Sequence, residues 1–153
     1  YDNNLILVIL ILDKTNDYEY FCHKYKASNN IKNRFKNISI NFENLERSKF
    51  YSEENIKRSI YLSNKDFVRD LLLFSRCANK KMKTLDIKKL ISYVNSCNVP
   101  KFPISGDYLK KYGYETGEIL GKKLKSLEKK WIENNFIMEK KMIEKSLGRN
   151  SKD

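Results

Sequence analysis

The sequence predicts an all-α fold, and three observations carry that expectation. All five glycines and both prolines lie beyond residue 99, so the first 99 residues lack the turn-forming residues that β-hairpins need. Apolar residues recur at helical spacing in one segment after another, with Ser, Thr, Asn or Asp standing where helix N-caps belong. With 41% apolar and 33% charged side chains over 153 residues, the chain can bury a core and is not collagen-like, disulfide-stapled or disordered.

The apolar run at residues 5–12 reads as a buried helix or strand, since it falls well short of the roughly 20 residues needed to span a membrane. Asp2 precedes it in place of a basic segment, and no small-residue cleavage site follows, which argues against a signal peptide. The run starts almost at once, without a cap, behind Tyr1, so the expectation is a fragment whose upstream neighbours covered it. Residues 17–26 predict a short helix, with Asp17 and Glu19 in its first turn and Lys24 and Lys26 in its last, matching the helix dipole. Ser28 and Asn29 then cap a second short helix carrying Ile31, Arg34 and Phe35.

Ser52 opens a helix to about Leu62, with Ile56 and Ile60 inward. Ser63 restarts a helix in a capping-box-like arrangement with Asp66, and Phe67, Val68, Leu71, Leu72 and Phe74 form its core stripe. After the basic loop at residues 80–83, Thr84 caps a helix presenting Ile87, Leu90, Ile91 and Val94. Pro100 and Pro103 force an extended connection and mark the main boundary, dividing a helical body at residues 1–98 from a helical tail at 99–153. In the tail, Ser105 caps a short helix through Tyr112 that Gly113 ends in a left-handed conformation. A longer helix starts near Gly117 with Leu120, Leu124, Leu127 and Trp131 on one face, and residues 138–147 form a last helix with Met142, Ile143 and Leu147 as its apolar side.

The chemistry of the sequence favours binding over catalysis. Cys22, Cys77 and Cys97 are an odd set without a C-x-x-C pair, read as reduced thiols packed in the core, and His23 is the lone histidine, so neither a disulfide framework nor a metal site is expected. No phosphate-binding loop, dinucleotide fingerprint, nucleophile elbow or metalloprotease motif occurs, and no catalytic residue is assigned. The net charge of +12 calls instead for an anionic partner. Residues 101–153 hold 13 Lys or Arg against 8 acids, interleaved with Tyr108, Tyr112, Tyr114 and Trp131, rings suited to stacking on unpaired bases. The segment 113–121 brings Gly117 and Gly121 to a helix start, either to admit a phosphate to free backbone N–H groups or to let two helices pack closely. Lys110, Lys111, Gly113, Gly117, Gly121, Lys122 and Lys125 are therefore the first candidates for RNA contact. Lys26, Asn29, Lys32 and Arg34, on a stretch with five basic residues and no acid between Lys24 and Lys36, form a second set.

Pro100-Lys101-Phe102-Pro103-Ile104-Ser105-Gly106, Leu109, Gly113, Gly117 and Gly121, followed by Leu127-Glu128-Lys129-Lys130-Trp131, resemble the C-terminal region of bacterial CCA-adding tRNA nucleotidyltransferases and the poly(A) polymerases akin to them. Tyr25-Lys26-Ala27-Ser28-Asn29-Asn30 is similar to a further element of the same enzymes. Two departures stand out: Tyr108 where an acid is common, and Thr116-Gly117-Glu118 in place of a Pro-Gly-Pro turn. The resemblance implies a cytoplasmic, all-helical body and tail that hold tRNA, with the catalytic head absent and no membrane association. It implies no cofactor for this region, while Mg²⁺ with ATP and CTP serve the parent transferase, and it leaves room for a separately encoded catalytic head as partner. The alternatives are the tail of a poly(A) polymerase, or a non-enzymatic interaction protein or remnant fragment.

Overall fold

A computed structural model describes residues 2–12, 17–45, 48–78 and 84–147. Among the described residues the regular structure is helical, with no strand: α1 (Asn3–Ile11), α2 (Asp17–Lys24), α3 (Asn29–Leu45), a 3₁₀ turn (Ser48–Tyr51), α4 (Glu53–Leu62), α5 (Lys65–Ala78), α6 (Thr84–Ser96), α7 (Gly106–Lys110), α8 (Glu118–Glu133) and α9 (Lys140–Ser146). The chain divides into two compact units, Tyr1–Val99 and Pro100–Asp153. The two prolines of the connection lie at the start of the second.

In the first unit α5 is the central helix, touching α1, α3, α4 and α6. Its Leu71 and Phe74 join Leu5, Val8, Leu12, Cys22, Phe35 and Ile38 in one core cluster. Its Val68 and Leu72, turned to another side, join Ile56, Ile60, Ile87, Val94 and Cys97 in a second. Two apolar faces on one helix follow from the paired positions 67/68 and 71/72 together with Phe74, which widen the stripe beyond a single seam.

The run at residues 5–12 is helical, and it is capped after all. Asp2 has the extended backbone of an N-cap, and its Oδ1 accepts a hydrogen bond from the Leu5 N–H at 3.1 Å. Leu5, Val8 and Leu12 are buried whereas Leu10 is 77% exposed, so this helix is apolar all round but packed along one side.

Other boundaries differ from the sequence reading for local reasons. Helix α2 stops at Lys24 because Lys26 takes the left-handed conformation (φ 48°). The Lys26 N–H donates to His23 O and the Ala27 N–H to Cys22 O, the paired bonds of a Schellman ending. Helix α3, expected to be short, runs 17 residues. The cap of α5 is Asn64, whose Oδ1 accepts from the Phe67 N–H at 2.8 Å, while the Ser63 hydroxyl turns back to donate to Ser59 O at the end of α4. Thr84 is the first residue of α6, and its hydroxyl accepts from the Arg76 guanidinium at 3.1 and 3.2 Å. Of the cysteines, Cys22 and Cys97 are buried but Cys77 is exposed, contrary to the expectation of three core thiols. The loop at residues 80–83 and the tail beyond 147 lie outside the described residues.

The second unit is built on α8. Leu120, Leu127 and Trp131 are buried on it; the two leucines pack with Ile104, Leu109 and Ile143, and Trp131 packs against Phe102 and Phe136. Ser105 caps α7 as its sequence position predicts, accepting from the Tyr108 N–H at 3.2 Å. The helix ends earlier than expected, at Lys110, and Tyr112 lies in the turn that follows. Gly113 (φ 87°) then closes a Schellman ending, with Gly113 N–H to Lys110 O at 2.9 Å and Tyr114 N–H to Leu109 O at 3.3 Å. Helix α8 ends the same way through Asn135 (φ 52°), and Phe136 packs edge-on against Trp131 with centroids 4.9 Å apart, the apolar contact that accompanies such endings. Helix α9 begins at Lys140, two residues later than read from the sequence.

Candidate nucleic-acid interface

The residues 113–121 form a left-handed turn feeding a helix. Gly117 is the N-cap of α8 at φ 147°, a conformation L side chains rarely adopt, and it supplies no side-chain cap to the first N–H groups of the helix. A Cβ placed on Gly117 or Gly121 would meet nothing within 4 Å. Close helix packing therefore does not account for either glycine. For Gly117 the backbone conformation is the reason; Gly121 lies on the first turns of α8, facing open space.

The lysines around this turn are not equivalent. Lys110 pairs with Asp107 at 3.0 Å and Lys122 with Glu118 at 2.7 Å, both exposed pairs along a single helix. Such pairs are worth little and open readily to a competing anion. Lys123 lies over the Tyr114 ring, 5.8 Å from its centroid, and donates to Ser146 O, which ties the turn to the end of α9. Lys111 and Lys125 are exposed and have no ion-pair partner among the described residues. Glu115 and Glu118 are also exposed there and lower the local positive potential.

The aromatic residues divide more sharply. Trp131 is 2% exposed, held between Phe102 (5.3 Å) and Phe136 (4.9 Å), so it belongs to the core and is no base-stacking ring. Tyr108 and Tyr112 are half-buried, with hydroxyls 3.0 Å apart and ring centroids 5.0 Å apart. The Tyr112 hydroxyl beside it pushes the Tyr108 phenol up, with burial adding to the effect. Tyr114 is half-buried at the turn itself.

The second candidate set separates as well. Arg34 is the centre of an internal ion-pair network: its Nε and one terminal nitrogen grip both oxygens of Asp70 at 2.7 Å each, and its terminal nitrogens reach Asp2 at 3.0 and 2.6 Å. Hydrogen bonds from Arg34 and from the Leu5 N–H hold the Asp2 carboxyl down at about 2, below its ordinary 3.8. The hydrogen bonds to Asp70, and after them those to Asp2, push Arg34 further up. The adjoining cavity of about 560 Å³ is walled by the carboxamides of Asn30, Asn33 and Asn37 and by three aspartates against two arginines, a poor match for phosphate. Lys26 sits in the left-handed position ending α2, while Asn29 and Lys32 are exposed at the start of α3. The structure thus gives Arg34 a partner at each end that its place in a basic stretch did not suggest. A candidate missed in the sequence is Ile119, 76% exposed on the first turn of α8, one residue before the stripe beginning at Leu120.

Among the described residues no three His, Cys, Asp or Glu gather to hold a metal ion, and no helix is long and apolar enough to cross a membrane. No known family pattern matches the chain, and no solved structure matches it. One curated protein is similar: a zebrafish (Danio rerio) protein named CCA tRNA nucleotidyltransferase 1, mitochondrial, 30% identical over 77 residues, which are 46% of this chain and 18% of the relative. The chain therefore matches less than a fifth of that relative's length. This similarity supports a relation to the tRNA nucleotidyltransferases.

Proposed function

We propose that this chain is a tRNA-binding body and tail portion of a tRNA nucleotidyltransferase, and that its second unit presents the phosphate-facing surface. The similarity to a CCA tRNA nucleotidyltransferase carries the reading. The net charge of +12 and the unpaired Lys111 and Lys125 beside the Gly113–Gly117 turn support it. Nucleotide addition itself, with Mg²⁺ and ATP or CTP, is assigned to a catalytic head that these residues do not include. The role left to this chain is to hold the tRNA body so that its 3′ end reaches that head, a positioning function that needs cations and shape rather than catalytic groups. The test is binding of the full chain to a tRNA transcript across a salt series. The expected result is a linear fall of log K with log salt, its slope reduced by about one in Lys111→Ala and in Lys125→Ala. Absent or salt-insensitive binding refutes the proposal.

A further inference from the structure

The C-terminal end of α2 gathers aromatic and basic side chains that the core of the first unit leaves outside. Tyr20 is 67% exposed and Tyr25 63%. Lys24 Nζ lies 5.6 Å from the centroid of each ring, so one ammonium serves both. Tyr25 is backed by Phe21, with centroids 4.8 Å apart, and Phe21 by the buried Phe35 at 6.0 Å, which fixes the outer ring in place. Next in the chain, Lys26 holds the left-handed conformation (φ 48°) in which glycine alone has no steric cost. A lysine kept there forgoes stability that glycine would restore, and strain of this kind is retained where function needs the side chain. Residues 20–42 contain no acid, and Lys24, Lys26, Lys32 and Lys36 have no ion-pair partner among the described residues. Helix α3, which carries Lys32 and Lys36, packs against α2. The two acids of α2, Asp17 and Glu19, stand in its first turn, where they complement the helix dipole.

We propose that Tyr20 and Tyr25 form a stacking platform for unpaired bases of bound RNA, with Lys24 and Lys26 on the adjoining phosphates. The inference rests on the RNA-binding reading above and adds to it a base-contacting surface on the first unit. Charge and ring together select the occupant: a polyanion answers lysines that no carboxylate has neutralised, and an unpaired base offers the flat face on which a tyrosine stacks. An ammonium over an exposed ring keeps its charge and is held weakly. On binding, Lys24 leaves the ring face for a phosphate and the base takes its place, so nothing buried is broken. An anionic membrane would also answer the lysines, but attachment to it needs apolar side chains to bury. The other exposed residues beside the rings are His23, Lys24, Lys26, Ser28 and Asn29, none of them aliphatic.

Stacking and phosphate contact differ in their salt dependence, because only the second releases counterions. The experiment measures binding of the full chain to a tRNA transcript and to single-stranded oligouridylate over a salt series, with folding followed by circular dichroism. Tyr20→Ala and Tyr25→Ala are each expected to weaken binding about fivefold at every salt concentration, the low end of what stacking provides, with the slope unchanged. Tyr20→Phe and Tyr25→Phe, which keep the ring, are expected to bind as the parent chain does. Lys26→Gly is expected to melt about 2–4 °C higher and yet to bind more weakly, its salt slope reduced by about one, a combination that a purely structural lysine does not give. Either alanine variant, or Lys26→Gly, binding RNA as tightly as the parent chain overturns the inference and leaves the RNA-binding reading standing. So does binding to phosphatidylserine vesicles that the alanine variants lose while keeping their RNA affinity, which assigns the patch to a membrane. Failure of the parent chain itself to bind RNA in a salt-dependent way refutes the underlying reading and this inference with it.

Discussion

Arg34 offers the sharpest separation of a structural role from a binding one. In Arg34→Met the Asp70 side chain, 14% exposed and held at 2.7 Å by the guanidinium, keeps its charge and loses its partner. Removing one member of a buried pair costs about 3–5 kcal/mol, and incomplete burial puts this case near 3 kcal/mol. The Asp2 pair adds less than about 1 kcal/mol, because that carboxylate is 48% exposed and screened. A loss of about 3 kcal/mol lowers the melting temperature of a chain of this size by roughly 6–12 °C. The assay is thermal unfolding followed by circular dichroism, alongside tRNA affinity measured well below the transition. Arg34→Met/Asp70→Leu is expected to recover much of the loss, since the orphaned charge is gone. A variant that melts with the parent chain but binds tRNA several-fold more weakly would refute this reasoning and return Arg34 to the RNA-facing set.

Other outcomes follow from the same geometry. The Asp2 carboxyl titrates at about 2 in the folded chain against an ordinary 3.8, so its stabilisation is present above pH 3.8 and disappears as the pH falls through about 2; Asp2→Asn should be less stable than the parent chain at neutral pH, and the difference in urea midpoint should close in acid. Tyr93 is pushed up to about 12 by burial, with the neighbouring Cys97 adding, so stability present below pH 10 is lost as the pH rises through about 12, and Tyr93→Phe should resist alkaline unfolding better. Gly117→Ala strains a backbone at φ 147° and should destabilise the second unit by about 1 kcal/mol or more, whereas Lys26→Gly, relieving a left-handed lysine at φ 48°, should stabilise the first by about 1 kcal/mol, both read from unfolding midpoints. Trp131 fluorescence should be unchanged by added tRNA because the ring is 2% exposed, and Trp131→Ala should cost about 3–5 kcal/mol.

Much of the helical layout was legible because helix signals are local. Ser52 and Ser105 cap the helices their positions predict, with Ser52 accepting from the Asn55 N–H at 3.3 Å. Gly113 takes the left-handed turn that follows α7, as its position predicts. Of the predicted stripe, Leu120, Leu127 and Trp131 are buried and Leu124 is half-buried. Two of the misreadings arose where one role had two claimants or one residue two roles: Ser63 against Asn64 for the cap of α5, and Lys26 as a last helical residue against Lys26 as the left-handed stop. Which one prevails depends on where the following helix must point, and packing sets that.

Among the candidate site residues the division is similar. Spacing alone placed Lys110, Lys111 and Lys122 near the Gly113–Gly117 turn, since residues close in sequence on a helix stay close in space. It could not show that Arg34 would be answered by Asp2 and Asp70, 32 and 36 residues away, because that pairing exists only once α3, α5 and the cap of α1 have packed. Nor could it distinguish the buried Trp131 from the exposed Ile119, two apolar residues on one helix. The sequence by itself determined the helical class and the excess of positive charge, both of them sums of local terms. The tertiary structure decided which charges are spent inside the protein and which apolar side chain is left facing solvent, because both depend on contacts between residues far apart in the chain.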